Sequence, residues 1–334
     1  MRICVLLQGK PGLADKDPMV RNALHTKDAI LAVLRGAGAE ATDVLLDDGL
    51  EFVSVIRSAG ADLVFNVCDL GLSYRPELEP HVAAILEAMS VPFTGSGVFA
   101  LGLTNDKALS KEILSRYGVR TPREHVVDPS CHRVGDESCG ISAPVICKPL
   151  LKHNSVDITF DSVVYDDTEL DHRIEEIEET GEPFVLEEFI DGRELIAAFM
   201  GNGSKRKMLP VEEIVFGEYF DDKPHILTYD AKWYENDPSC AQSRPEIPAP
   251  ISESVRREVA DAVSEIARIL HVLDYGRVDF RLAPDGRIYA IDVNANPDVS
   301  PDAGLFKMAR ADGMSYGQFI CGIVDSALDR RAGR

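Results

Sequence analysis

Two segments near the C-terminus constrain the fold more than any other feature of this sequence. Residues 276–282 and 287–294 each alternate between apolar and polar side chains, which predicts two β-strands. Pro284-Asp285-Gly286 lies between them and is a strong signal for a tight turn. The two strands are therefore predicted to form an antiparallel hairpin with one polar face.

Polar side chains on that face form a candidate metal site. Alternation places Arg277 beside Asp279 on the first strand, and Asp292 beside Asn294 on the second. Two carboxylates and an amide supply oxygen ligands suited to Mg²⁺, and the arginine can bind a phosphoryl oxygen. A surface hairpin whose polar face meets water shows the same alternation, so the pattern alone leaves both interpretations open.

The first third of the chain predicts a parallel sheet. Strands are predicted at residues 3–7, 44–46, 63–67 and 91–94, with helices at 25–35, 50–58 and 79–89 between them. Such alternation of strands and helices is typical of a doubly wound α/β unit. Gln8-Gly9-Lys10-Pro11-Gly12 follows the first strand and lacks the glycine pattern of a dinucleotide site.

The pattern changes after residue 105. Helices are predicted at 106–117, 170–179 and from 252, strands at 144–149, 184–188 and 193–200, and two further helices after the hairpin. Residues 223–250 are rich in Pro, Asp and Ser, and they are too many for an ordinary connection. This segment is predicted to be a functional loop.

Composition and charge exclude several classes of function. The chain has 334 residues and a formal net charge of −21, which argues against a nucleic-acid partner because phosphates must be met by cations. No apolar run reaches the ~18 residues of a membrane span, and the first apolar run is too short for a leader, so we expect a cytoplasmic protein. Seven cysteines without a Cys-x-x-Cys pair predict reduced thiols.

Three further motifs carry candidate nucleotide-binding groups. Lys148 ends an apolar strand and precedes His153-Asn154-Ser155, a polar segment that can close over phosphates. Lys107 opens a helix, and helix N-termini attract anions. Glu187 and Glu194 flank a strand-turn-strand segment that can recognise adenine and ribose. Taken singly, each motif also fits an ordinary strand end, helix start or hairpin.

The order of these motifs resembles the ATP-grasp superfamily, and more closely its D-alanine–D-alanine ligase branch. The resemblance extends from residue 66 to residue 319 and includes Tyr229-Asp230-Ala231-Lys232-Trp233 between the earlier motifs and the hairpin. It implies an α/β (α+β) ATP-grasp fold in three parts. These are a Rossmann-like N-terminal substrate domain (1–104), a central ATP-grasp domain (105–190) and a C-terminal ATP-grasp domain (191–334) with the metal site and a lid at 223–250.

The resemblance also implies roles for individual residues. The nucleotide would be bound by Lys107, Lys148, His153, Asn154, Ser155, Glu187, Glu188, Phe189, Ile190, Glu194 and Lys232. Arg277, Lys232 and Ser155 would be catalytic, and Asp279, Asp292 and Asn294 would hold two Mg²⁺ ions, which Mn²⁺ can replace. The implied reaction joins a small-molecule carboxylate to an amine through an acyl phosphate, with release of ADP and phosphate. Relatives of this kind imply a homodimer.

Departures from the family pattern lie in the parts that would bind the joined substrates. Residues 8–18 lack the glutamate that anchors the first substrate's amine, and residues 296–304 replace the small-residue stretch that holds the acceptor. Lys152-His153-Asn154-Ser155 replaces Glu-Gly-Ser-Ser, and Asp292 replaces a glutamate. We therefore expect an amino acid or specialised metabolite rather than two D-alanines. An imine-forming ligase that activates an enol-type oxygen, and a non-catalytic nucleotide-binding protein, remain alternatives.

Overall fold

The N-terminal part of the chain forms a three-stranded parallel sheet with its helices. The computed structural model describes residues 1–8, 12, 18–46, 49–69, 71–72, 75–130, 140–152, 155–234 and 236–332 (331 and 332 by their backbone only). The N-terminal elements are β1 (Arg2–Gln8), α1 (Pro18–Gly36), β2 (Glu40–Leu46), α2 (Glu51–Ala59), β3 (Leu63–Val67), α3 (Glu79–Ala88) and α4 (Val98–Asn105). The strand order is β2-β1-β3 with both pairs parallel, which confirms the predicted α/β unit.

The central part forms a four-stranded antiparallel sheet. Its elements are α5 (Lys107–Arg116), β4 (Glu124–Val127), β5 (Val145–Pro149), β6 (Val163–Val164), α6 (Asp167–Thr180) and β7 (Phe184–Glu188). The strand order is β4-β7-β5-β6. Helix α5 begins at Lys107 because the Asp106 side chain caps it, accepting a hydrogen bond from the Leu109 N–H at 2.9 Å. This cap fixes the direction in which Lys107 leaves the helix.

The C-terminal part forms a larger antiparallel sheet. Its elements are β8 (Arg193–Met200), β9 (Lys207–Met208), β10 (Glu212–Phe216), α7 (Tyr229–Trp233), α8 (Pro238–Gln242), β11 (Ser243–Glu246), α9 (Glu253–Ile269), β12 (Tyr275–Leu282), β13 (Ile288–Asn294), α10 (Gly304–Ala311) and α11 (Tyr316–Ala332). The order is β11-β10-β8-β12-β13, and β9 pairs with β8. No helix in the described part of the chain is long and apolar enough to cross a membrane.

Strand register aligns functional side chains across this sheet. Glu212 on β10 lies opposite Ile196 on β8, Ile196 opposite Asp279 on β12, and Asp279 opposite Asp292 on β13. The other face of the sheet is apolar and packs against α9, whose hydroxyl cap at Ser252 accepts from the Val255 N–H. The sheet therefore separates a hydrophobic core from a polar face that is available for chemistry.

Three predictions about individual elements are corrected by the structure. Residues 91–94 make only an isolated bridge between Phe93 and Val64, because Pro92 has no N–H with which to continue a ladder. Helix α1 begins at Pro18 rather than at residue 25, which agrees with the preference for proline in the first turn of a helix. Residues 223–250 are not a structureless loop, since they contain α7, α8 and β11. The exact domain boundaries at 104 and 190 remain predictions.

Candidate active site

Two adjoining cavities lie on the polar face of the C-terminal sheet. The smaller one, of about 110 Å³, is enclosed between the central and C-terminal sheets. The larger one, of about 360 Å³, is enclosed between the C-terminal sheet and helix α1 of the N-terminal part. Both are lined by Glu194, Leu227, Lys232, Arg277 and Asp279, so the two cavities share one wall.

Lys107 reaches the smaller cavity from the N-terminus of α5. Its ammonium donates hydrogen bonds to the carbonyls of Pro149 at 3.3 Å and Leu150 at 3.4 Å, and also contacts the Lys152 carbonyl. Burial lowers the pKa of Lys107 to about 8, although the charge of Asp292 opposes that shift. The lysine therefore carries a positive charge into a buried region next to the loop that follows β5.

Lys148 belongs to a buried network of ion pairs on the central sheet. The Glu187 carboxylate accepts from Lys148 at 2.9 Å and from Lys111 at 2.6 Å. Burial alone would raise the pKa of Glu187, but the charges of Lys111 and Lys148 outweigh it and the pKa is lowered. Lys111 was not predicted as part of the site, although its position one helical turn after Lys107 was a usable signal.

The hairpin of β12 and β13 supplies the acidic side of the smaller cavity. Register places Asp279 opposite Asp292 and Arg277 opposite Asn294. The Arg277 guanidinium holds Asp279 with two contacts, Nε to Oδ1 at 2.9 Å and Nη2 to Oδ2 at 2.9 Å. The pKa of Asp279 is raised because it is buried, and the charge of Asp292 adds to this shift while Arg277 opposes it. The buried carboxylates of Asp279 and Asp292 therefore repel each other, and a bound cation would reduce this repulsion.

The segment that carries Lys232 closes over both cavities. Ser155 donates its hydroxyl hydrogen to the Leu227 carbonyl at 2.9 Å, and the Tyr229 N–H donates to the Ile158 carbonyl at 3.1 Å. Arg281 pairs with Glu194 at 3.0 Å and donates to the His225 carbonyl at 2.6 Å. These contacts attach the segment to the central part on one side and to β12 on the other. The Lys232 side chain remains exposed to the cavities it lines.

The sequence profile of the family described as D-ala D-ala ligase C-terminus matches residues 123–325. The chain belongs to the D-Ala–D-Ala ligase family. It is an enzyme of this family, an ATP-grasp ligase that forms carbon–nitrogen bonds. The resemblance of the motifs to this branch of the ATP-grasp superfamily is thereby confirmed.

Individual relatives cover nearly the whole ligase. An uncharacterized protein of Sinorhizobium fredii, y4sG, is 31% identical over 317 residues, which cover 92% of this chain and 88% of that protein. A D-alanine–D-alanine ligase of Bordetella petrii is 29% identical over 328 residues, which cover 98% of this chain and 92% of that protein. Both matches therefore extend over most of the length of the relative as well as of this ligase.

Two crystal structures of D-alanine–D-alanine ligase from Bacillus anthracis share the fold. The structure complexed with ATP has a TM-score of 0.77 and 22% sequence identity, and the second structure has 0.80 and 24%. Both matches cover 100% of this chain and 99% of the other. The mixed α/β, three-domain architecture expected from the motifs is therefore confirmed.

The structure brings most predicted site residues of this ligase together. The smaller cavity is lined by Lys107, Lys148, Ser155, Glu194, Lys232, Arg277, Asp279, Asp292 and Asn294. Glu187, Glu188, Phe189 and Ile190 are not among the residues that line either cavity. The Glu187 carboxylate faces two lysines, and Glu188 faces Arg123 at 3.2 Å on the surface. His153 and Asn154 lie outside the described residues.

Proposed function

We propose that this ligase uses ATP to join a small-molecule carboxylate to an amine through an acyl phosphate. The reaction would consume one ATP and release ADP and phosphate. The observation that supports this proposal most directly is the smaller cavity, where six cationic side chains and a pair of aspartates line the same space. These cations are Lys107, Lys148, Lys152, Lys232, Arg277 and Arg281.

Such an arrangement suits phosphoryl transfer, because the transferred group needs positive charge around its oxygens and little covalent chemistry from the protein. Lys107 and Lys148 reach the cavity from the central part, whereas Arg277 reaches it from β12. We infer that the nucleotide lies between these parts with its phosphates toward the hairpin. The ATP complex of the Bacillus anthracis relative supports this inference.

The hairpin also fits a magnesium ion. Asp279 and Asp292 oppose each other in register, and their mutual repulsion contributes to the raised pKa of Asp279. Asn294 on the same strand face supplies a third oxygen. Mg²⁺ at these residues would neutralise phosphate charge, and Mn²⁺ has the same preference for oxygen ligands. The described residues include no cluster of three His, Cys, Asp or Glu side chains, so this site depends on the amide of Asn294.

The proposed chemistry has two steps. A carboxylate oxygen of the first substrate attacks the γ-phosphorus, and ADP leaves. The amine of the second substrate then attacks the acyl carbon, its nitrogen loses a proton and phosphate leaves, so that an amide remains. Arg277 is placed to stabilise the negative charge of the acyl phosphate and of the tetrahedral intermediate, because it lines both cavities. Lys232 is placed to do the same from the covering segment.

The experiment that tests this function measures ADP release with Mg·ATP in the presence of amino-acid and amine panels that include D-alanine. We expect release to require two co-substrates, and we expect mass spectrometry and ultraviolet absorbance to identify an amide. An imine product would overturn the carboxylate chemistry, and failure to bind ATP would overturn the proposal as a whole.

Asp279→Asn provides the variant, and Asp285→Asn provides its matched control. Asp285 lies in the exposed turn of the same hairpin, where it pairs with Arg287. We expect Asp279→Asn to fold and to lose nearly all ADP release, while Asp285→Asn retains it. Equal turnover of the two variants would contradict the assignment of Asp279 to the metal site.

A further inference from the structure

Glu212 is a buried carboxylate that has no partner in the described part of the protein. It opens strand β10 and lines the larger cavity, yet only 4% of its surface is exposed. Its Oε2 atom is fully buried and receives no hydrogen bond from any described residue. A buried polar group without a partner is costly, and a buried charge more so. Such a group in a cavity indicates that a ligand supplies the missing partner.

The neighbouring residue on the strand shows that the lack of a partner is specific to the cavity face. Glu213 points to the opposite face of β10 and is held by Arg193, whose Nε donates to Oε1 at 2.6 Å. Two adjacent glutamates thus have different environments, because strand alternation turns one toward Arg193 and the other toward the cavity. Of these two glutamates, only Glu212 lacks a hydrogen-bond partner among the described residues.

Two cations face Glu212, and neither neutralises it by direct contact. Arg277 is held by Asp279 through two ion-pair contacts. Lys307, on α10, lines the same cavity, and its charge acts on Glu212 without an ion pair of 4.0 Å or less between the two side chains. Both charges lower the pKa of Glu212, but burial outweighs them and the pKa is raised. The cavity therefore contains one carboxylate and one ammonium that remain available to a ligand.

Strand pairing gives the distance between Glu212 and the proposed phosphoryl-transfer site. Glu212 and Asp279 lie in one row of the sheet with β8 between them, which corresponds to about 10 Å between their backbones. Arg277 pairs with Asp279, its charge lowers the pKa of Glu212, and it lines both cavities. A ligand bound at Glu212 would therefore have its other end near the proposed phosphoryl-transfer site.

We infer that Glu212 binds the protonated amino group of a co-substrate and that Lys307 binds its carboxylate, so that the larger cavity accepts an amino acid in its zwitterionic form. A zwitterion supplies both missing partners at once, whereas a simple amine or a simple acid supplies only one. Glu212 is thus a specificity-determining residue on β10. This inference rests on the proposed ligase reaction and adds to it the two side chains that would select one co-substrate.

The test compares matched substrates in the ADP-release assay. D- and L-alanine, serine and ornithine are each paired with the amine that lacks the carboxylate and the acid that lacks the amino group. For Glu212→Gln we expect the KM of the amino acid to rise about 30-fold or more, because one partner of a buried charge pair is lost. The KM for ATP should stay unchanged, and Glu212→Asp should recover part of the loss.

Lys307→Met tests the second contact. It should raise the KM of the amino acid without changing the KM of the amine that lacks a carboxylate. Glu213→Gln is the matched control for Glu212→Gln, since it removes the same charge from the same strand on the face away from the cavity. We expect this control to leave the KM of every co-substrate unchanged.

The outcomes separate the two proposals. An unchanged KM of the amino acid in both Glu212→Gln and Glu212→Asp, with normal ADP release, would overturn the role of Glu212 and leave the ligase reaction intact. Equal use by the unaltered protein of amino acids and their deaminated acids would overturn it as well. Absence of ADP release with every substrate would count against the ligase reaction and, with it, against this assignment.

Discussion

Removal of Lys111 tests whether the buried ion-pair network supports the central part of this ligase. The Lys111 side chain is 4% exposed and Glu187 is 1% exposed, and their charged atoms lie 2.6 Å apart. Lys111→Met keeps the length of the side chain but leaves Glu187 with Lys148 as its remaining cation. Breaking a buried pair from one side typically costs about 3–5 kcal/mol, because an uncompensated charge stays in the interior.

Thermal unfolding measures this cost. At the average unfolding entropy per residue, ~1 kcal/mol corresponds to about 1.5 °C for a chain of this size, so we expect the Tm to fall by about 4–7 °C. The matched control is Arg116→Met on the same helix, where Arg116 pairs with Glu112 in an exposed i,i+4 contact. Exposed pairs of this kind contribute about 0.3–0.5 kcal/mol, so the control should lose no more than ~2 °C.

A double variant distinguishes the effect of an unpaired buried charge from a simple loss of packing. Lys111→Met combined with Glu187→Leu removes the more deeply buried of the two carboxylates that Lys111 contacts, the other being Glu124 at 3.6 Å. Lys148, which also pairs with Glu187, lines a cavity where water can reach it. We expect the double variant to be at least as stable as Lys111→Met alone, since the two changes are coupled. Equal Tm values for Lys111→Met and Arg116→Met, or additive losses in the double variant, would refute the reasoning.

Three further predictions concern other parts of the molecule. Burial raises the pKa of Glu124 to about 7 from an ordinary value of 4.5. The folded protein then binds more protons than the unfolded chain between these values, so the free energy of unfolding should fall as the pH rises from about 4.5 to about 7. Urea titrations of Glu124→Gln should lack this pH dependence. Gly192 has a φ of 156°, and a Cβ there would lie 2.3 Å from the Leu282 carbonyl oxygen. Gly192→Ala should therefore lower the free energy of unfolding by more than about 2 kcal/mol, as measured by thermal unfolding. A Cβ at Gly286 would meet no atom within 4 Å, so Gly286→Ala should lower it by less. Residues 223–250 are predicted to open and close as a lid, so Mg·ATP should slow protease cleavage there, and equal cleavage rates would contradict a lid.

The sequence predicted those parts of the site that depend on local patterns. The hairpin was predictable because alternation along two short strands and the Pro284-Asp285-Gly286 turn are encoded within about twenty residues. Asp279 and Asp292 therefore came together as expected. The N-terminal α/β unit was predictable for the same reason, since its strands and helices follow one another in a regular rhythm.

Contacts that depend on register between distant strands were not predictable. In the pairing of β5 with β7, Ile146 lies opposite Glu187. Lys148 is two residues along β5 from Ile146, on the same face, so it is a diagonal neighbour of Glu187. The family resemblance placed Glu187 among the nucleotide-binding residues. Its pairing with Lys111 depends on the packing of α5 against the sheet, which local patterns do not encode. Glu212 was missed for a related reason, because Val211-Glu212-Glu213 interrupts the alternation that marks a half-buried strand.

The strand order of the C-terminal sheet explains how one site can keep its phosphoryl chemistry while its substrate changes. Asp279 and Asp292 lie on β12 and β13 at one side of the sheet, whereas Glu212 lies on β10 beyond β8. A substitution at Glu212 therefore alters the charge of the larger cavity about two strand spacings from the proposed metal site. Arg277 lines both cavities and is held by Asp279, a residue of its own strand. Because the Arg277–Asp279 pair is internal to β12, we expect a substitution at β10 to leave in place the groups proposed to stabilise the transferred phosphate.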